Sequence, residues 1–269
     1  MPIPRPADAL PEFTQLTIDL AAQRQDGTIT DWESFKTIVL AFFTPDMMDK
    51  VDHVVSSWHE MAVCADHQTL HHVTSVLVAL HALPEYQQAA PEEQDLLTWM
   101  VLFHDVAKIA RPGEHDYIHA FRSAAIAGKA LAKAGFAASA VYPDRIADWF
   151  TLTYNAVIWR EDLQDHIQDN RHLPAIISGL HQLYDPPAAA VIKAVLLHLS
   201  VITDPVYPIH APLTDSEYIE YVDATTHRLL KAMMIVDTDA WNLFDPREAQ
   251  RYRAQSLTVF DRMGAQIRQ

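Results

Sequence analysis

The chain has 269 residues, 49% of them hydrophobic, with a formal charge of −15 and one cysteine. That supply of apolar residues can bury a sizeable core, and the lone Cys64 excludes an internal disulfide or a cysteine-rich zinc site and reads as a buried thiol. The 20 Lys and Arg are scattered, which excludes a broad nucleic-acid surface, so any phosphate-bearing partner is expected to be small and held locally.

No apolar run approaches the roughly 20 residues of a membrane span, and the longest, Ala188 to Ile202, is interrupted by Lys193 and His198. The Pro-rich start, Met1 to Pro11, lacks the basic and apolar regions of a signal peptide. A soluble, cytoplasmic protein without membrane contact is expected.

Few glycines, abundant Ala, Leu, Gln and Glu, and no persistent strand pattern predict an all-α chain punctuated by proline. In chain order, helices are expected over Ala7 to Gln25, Asp31 to Ala41, Pro45 to Cys64, His67 to Leu83 and Pro91 to Ile109. Arg111-Pro112-Gly113 then breaks the chain. Further helices are expected over Tyr117 to Ala134, Pro143 to Trp159, a short piece near Glu161 to Asp169, Pro174 to Tyr184, Ala188 to Thr203, Asp215 to Phe244 and Pro246 to Gln269. Asp204 to Pro212, with three prolines, reads as a loop or lid. In the amino-terminal helices Trp32, Phe35, Phe42 and Phe43 can cover the core or form a partner surface.

His104-Asp105 follows the apolar run Trp99-Met-Val-Leu-Phe103. An imidazole beside a carboxylate in so apolar a setting suits a divalent transition metal, because burial is otherwise costly for both groups. The same dipeptide at His115-Asp116 lies in a polar stretch. Three other segments place acid or imidazole groups on largely apolar helices. His72 shares a face with Val76 and Ala79 and points inward, with His71 pointing elsewhere. His119 lies four residues after His115, with Arg122 and Ser123 following. Asp237 ends the run Leu229 to Val236 and needs a partner, with Asp239 as its rival. Taken singly, His72 reads as a satisfied core histidine and the acids as ordinary helix-end groups; the combination favours a site.

The order His72, then His104-Asp105, then Asp237 resembles the HD-domain superfamily of metal-dependent phosphohydrolases. Leu-Phe-His-Asp-Val-Ala-Lys (residues 102–108) looks like that family's signature with Ala107 in place of the usual Gly, and Val-Asp-Thr-Asp-Ala (236–240) resembles its closing segment. The likeness covers residues 68–242 and leaves 1–60 and 243–269 outside it. It implies a single all-helical HD-type domain over 1–269, with an amino-terminal helical extension and a carboxy-terminal helix over 246–269.

The resemblance further implies a divalent cation (Mn, Fe, Co, Ni, Mg or Zn) held by His72, His104, Asp105 and Asp237, cleaving a phosphate ester or anhydride of a small substrate such as a nucleotide or related phosphomonoester. Asp105, Lys108 and His119 would serve catalysis. Lys108, His119, Arg122 and Asn155 would contact substrate, with pairing to Asp105 the lesser alternative for Lys108 and pairing to Asp116 or Glu114 an equal one for Arg122. His119 matches a position where many relatives place a further metal ligand or proton-transfer residue. Glu114, His115 and Asp116 are nearby proton-donor candidates.

The two-metal branch carries further histidines on the next helix, where this chain has Tyr154 and Asn155. His166, His172 and His181 come later, in polar surroundings. One tightly held cation is therefore expected, with at most a weaker second. A diiron oxygenase on the same scaffold and a non-catalytic metal-binding sensor or regulator are the alternatives.

Overall fold

The computed structural model describes residues 3–109, 116–136, 143–201 and 212–267. The Arg111-Pro112-Gly113 break, Glu114, His115 and all of the Asp204 to Pro212 loop except Pro212 lie outside the described residues. The fold is all-α apart from one small hairpin. No helix among the described residues is long and apolar enough to cross a membrane.

Proline sets the helix starts. Helices α1 (Pro6–Ala9), α2 (Pro11–Gln25), α4 (Pro45–Val54), α7 (Pro84–Gln88) and α8 (Pro91–His104) carry it in the first turn, as does α12 (Pro186–Leu197). There its missing N–H costs nothing and its fixed φ suits the helix. Pro11 accordingly splits the helix expected over Ala7 to Gln25, and Pro84 starts one that was not expected. Asp31 opens α3 (Trp32–Phe42) by accepting from the Ser34 amide at 2.8 Å.

The segment expected to be one helix over Pro45 to Cys64 breaks at Val55 to Ser57 and resumes as α5 (Trp58–Val63). Ala65, Asp66 and His67 then take left-handed backbone angles in succession, φ 49°, 54° and 65°, before α6 (Gln68–Ala82). The His67 ring donates from Nδ1 to the Ala62 carbonyl at 2.8 Å, which helps hold a turn that non-glycine residues adopt only at a cost.

The centre of the molecule is formed by α6, α8, α12 and α14 (Ala224–Trp241), packed against one another. Thr69 to Leu80, Leu96 to His104 and Ala188 to Leu197 are buried without interruption, so a polar side chain on these helices faces protein whichever way it points. Around them lie α9 (His119–Ala130), α10 (Pro143–Tyr154) and α11 (Leu173–Leu183). The amino-terminal helices cover the core: Phe13 packs on Phe43 and Trp58, and Trp32 and Phe35 meet Phe244 of the carboxy-terminal part. Cys64 is half-buried, more open than its residue type suggests.

Two further expected helices are corrected. Near Glu161 to Asp169 the chain forms a hairpin, β1 (Val157–Arg160) antiparallel to β2 (Asp165–Gln168). Val157, Ile158 and Trp159 favour a strand, and Trp159 faces His166 across the pair with ring centroids 5.1 Å apart. The helix expected over Asp215 to Phe244 is divided into α13 (Asp215–Tyr221) and α14. Thr214 and Glu217 make a reciprocal capping box at the start of α13, and Asp223 caps α14 through the Thr226 amide. Asp223 also receives the buried Lys193 ammonium of α12 at 2.5 Å. The last helix, α15 (Pro246–Ile267), packs along α14.

Helix α9 sits close to α10 because Gly128 leaves room for the Trp149 ring. A methyl group there would stand 2.6 Å from Trp149 Cζ3 and 2.8 Å from the Tyr184 hydroxyl. Trp149 cannot retreat, since Nε1 is hydrogen-bonded to the Ile176 carbonyl at 2.8 Å and Gly179 abuts its other side. Gly128→Ala is expected to destabilise the fold by about 1–2 kcal/mol, overpacking outweighing the roughly 1 kcal/mol gain in helix propensity. A urea midpoint at or above that of the parent would contradict this.

Candidate metal centre

Helix α8 ends at His104, and Asp105 occupies the position after it with φ −112° and ψ 13°. The helix expected to run on to Ile109 thus stops at the acid-base pair itself. Residues 105 to 108 form a turn closed by the Lys108 amide donating to the Asp105 carbonyl at 2.9 Å. This stop swings the Asp105 carboxylate off the helix line into the middle of the molecule, where its side chain is 2% exposed.

The two carboxylate oxygens of Asp105 face different neighbours. Oδ2 lies 3.6 Å from His72 Nε2 and 3.6 Å from His104 Nε2. Oδ1 lies 3.0 Å from His119 Nε2 and 3.8 Å from His198 Nε2. Asp237 reaches His72 Nε2 through Oδ1 at 2.9 Å. Two groups that could hold a metal ion result, His72/His104/Asp237 and Asp105/His119/His198, the ligand atoms of each lying within 4.8 Å of one another.

The donors suit a divalent cation. In His104, His119 and His198 alike, Nδ1 lies 2.7 Å from the carbonyl three residues earlier, those of Val101, Asp116 and Val195. A carbonyl only accepts, so each Nδ1 carries a proton and each Nε2 is turned inward, the second-shell arrangement typical of metal-ligating histidine. His104 Nε2 and His119 Nε2 are buried without a well-aligned hydrogen bond, which is costly unless another partner completes them. Trp241 stacks on His72 with centroids 4.3 Å apart and shields it, although the indole remains 47% exposed.

The charge of these side chains follows from their contacts with one another. Burial disfavours the Asp105 carboxylate, yet Lys108, His104 and His119 outweigh it and hold its pKa well below the usual range. Asp237, likewise opposed by burial, is lowered to about 2 by its contact with His72. Burial pushes His104 down to about 4, leaving it neutral. His119 goes the other way: burial opposes its charge, but Asp105 and Asp116 prevail and raise it to about 9. A cation arriving at the second group must therefore displace a proton from His119.

The sign of the pH dependence is fixed by these directions. His119, raised from a reference near 6.5, contributes stability that is complete below about pH 6.5 and lost as pH climbs through about 9. His104, together with the buried His71 and the half-buried His81, is lowered to about 4. Their contribution is present above about pH 6.5 and lost as pH falls toward 4. Melting temperatures of chelator-treated protein are expected to peak near pH 6.5, and the alkaline decline should flatten in His119→Gln. An unchanged alkaline limb in that variant would contradict the assignment.

Of the residues singled out by sequence, His72, His104, Asp105, His119 and Asp237 come together. Asp239 does not join them; it is paired with Arg253 of α15. Lys108 gives its ammonium to Asp105 Oδ2 at 2.7 Å, the pairing alternative of the sequence reading. Arg122 lies 5.0 Å over the Tyr154 ring and makes no ion pair with Asp116, while Glu114 lies outside the described residues. Asn155 is exposed, its amide donating back to the Thr151 carbonyl of its own helix. Asp116 holds the His119 ring rather than standing free.

His198 was missed. It follows the buried run Ala188 to Leu197 just as His104 closes the run Leu96 to Phe103, and that parallel is the signal that could have found it. The expectation of a single cation rested on Tyr154 and Asn155; the additional imidazole comes instead from the end of α12, far later in the chain. No protein-family model, curated protein or solved structure matches this chain.

Proposed function

We propose that the chain is a metal-dependent phosphohydrolase of the HD type, acting on a phosphate ester or anhydride of a small substrate such as a nucleotide or related phosphomonoester. The observation that supports this best is the Asp105 carboxylate, each oxygen of which faces a pair of imidazoles. His72, His104 and Asp237 would hold one cation and Asp105, His119 and His198 a second. Bound there, divalent cations acidify water and polarise a phosphoryl oxygen, the two requirements of phosphate ester hydrolysis near neutral pH.

The protein's own groups supply the rest. Lys108 places a cation beside Asp105 and, on its partly exposed side, offers an ammonium to a phosphate oxygen. Asp116 orients the His119 ring through its carbonyl. Trp241 walls His72 off from solvent on one face. The −15 charge and scattered basic residues favour a small substrate over a polymer.

The test is phosphate release from a panel of nucleotides and sugar phosphates, using metal-stripped protein reloaded with Mn, Fe, Co, Ni, Mg or Zn. Release with at least one metal, lost in Asp105→Ala, is the expected result. No release with any metal, or an unaffected variant, would overturn the proposal. A second reading, a diiron oxygenase, is favoured by one specific observation: His198 supplies the imidazole whose absence counted against it. Iron near two per chain together with substrate-dependent oxygen uptake would select that reading instead.

A further inference from the structure

A second concavity, of about 530 Å³, lies between α6, α14, α15 and the end of α2, within the range of about 300–1,000 Å³ usual for small-molecule sites. It is separate from the His/Asp cluster. Asp239, which lines it, stands about 200° around α14 from Asp237. The walls are largely aliphatic, with Ala79, Leu83, Leu243, Ala249 and Leu257 among them.

Into this apolar space come three charges, Arg24, Asp239 and Arg253. Arg253 is paired with Asp239. Arg24 is oriented by donating from Nε to the Leu243 carbonyl at 2.7 Å, and no carboxylate lies within ion-pair distance of it among the described residues. Burial depresses its pKa, with Asp239 only partly offsetting the effect. Asp239 Oδ1 and Arg253 Nε are buried without hydrogen-bond partners. Among the described residues two guanidinium groups stand against one carboxylate, which leaves the half-buried Arg24 free to take an anion at the edge of a largely aliphatic cavity.

We propose that this cavity binds a small organic monoanion, an aliphatic carboxylate of medium length, with its carboxylate on the Arg24 fork and its chain against Leu83, Leu243 and Leu257. The planar guanidinium matches a carboxylate, the single net charge matches a monoanion, and a phosphate dianion would bring a second negative charge toward Asp239.

Titration calorimetry of octanoate into the full chain, alongside 1-octanol and inorganic phosphate, tests this. Saturable one-site binding of octanoate is expected, with octanol weaker by about tenfold or more for want of the charged hydrogen bonds, and no binding of phosphate at this site. Arg24→Met should weaken octanoate to the level of octanol. Ala249→Phe, which fills the cavity and leaves the charges in place, should abolish binding, and it serves as the deciding variant if Arg24→Met does not fold. Absence of saturable octanoate binding, octanol binding as tightly as octanoate, phosphate displacing octanoate at equal concentration, or undiminished binding in the folded variants would overturn the proposal. None of these substitutions touches the His/Asp cluster, so the outcome is independent of phosphate release.

Discussion

Asp105→Ala is expected to leave the protein without tightly bound metal and to lower phosphate release by about a thousandfold or more, several kcal/mol of lost stabilisation. Asp105 belongs to the second ligand group and its carboxylate also borders the first. Its Oδ2 lies beside His72 and His104 and its Oδ1 beside His119 and His198. Removing it takes the one anionic donor from the second group and the anion that faces both histidines of the first. The change also leaves the Lys108 ammonium without its carboxylate at 2.7 Å, so the variant's residual cations oppose an incoming metal. Metal content after dialysis, read with phosphate release and with Asp105→Asn as the isosteric control, checks the expectation. Normal metal content and turnover in both variants would refute it.

His198→Ala should reduce bound cation from about two per chain to about one, because His198 belongs to the Asp105/His119 group alone. Loss of even an outer-sphere partner commonly costs about 10- to 100-fold in affinity, and loss of a direct ligand should exceed that. The first group would be left intact, since His72 Nε2 keeps Asp237 at 2.9 Å. Asp237→Ala provides the reciprocal case, sparing the second group. Equilibrium dialysis against Mn or Co across the three proteins separates the two groups. Identical stoichiometry in the parent and in His198→Ala would show that the second group does not hold a cation.

Much of this centre was legible in the primary order, and the reason is burial. A polar side chain at the end of a long apolar run must meet a partner inside the protein, so His104-Asp105, His72 and Asp237 could be read as candidates from their surroundings. Asp237 and Asp239 could not be separated that way, being two residues apart on one helix. Their opposite directions became a distinction only when α15 brought Arg253 to Asp239. Lys108 was misplaced onto a continuing helix because nothing local marks the stop at His104. The hairpin at 157–168 was read as a helix end and a helical piece because its strands are only four residues each, too short for an alternation to stand out.

By itself the sequence determined the helical class, most of the helix starts through proline, and the first four ligand candidates, because propensity, proline geometry and apolar periodicity all act over a few neighbouring residues. Only the tertiary structure decided that His198 joins Asp105 and His119, that Asn155 turns away, and that the two oxygens of one carboxylate divide the histidines into pairs. Those outcomes depend on how α8, α9, α12 and α14 pack against one another, and the distance between side chains on separate helices is set by that packing rather than by any local preference.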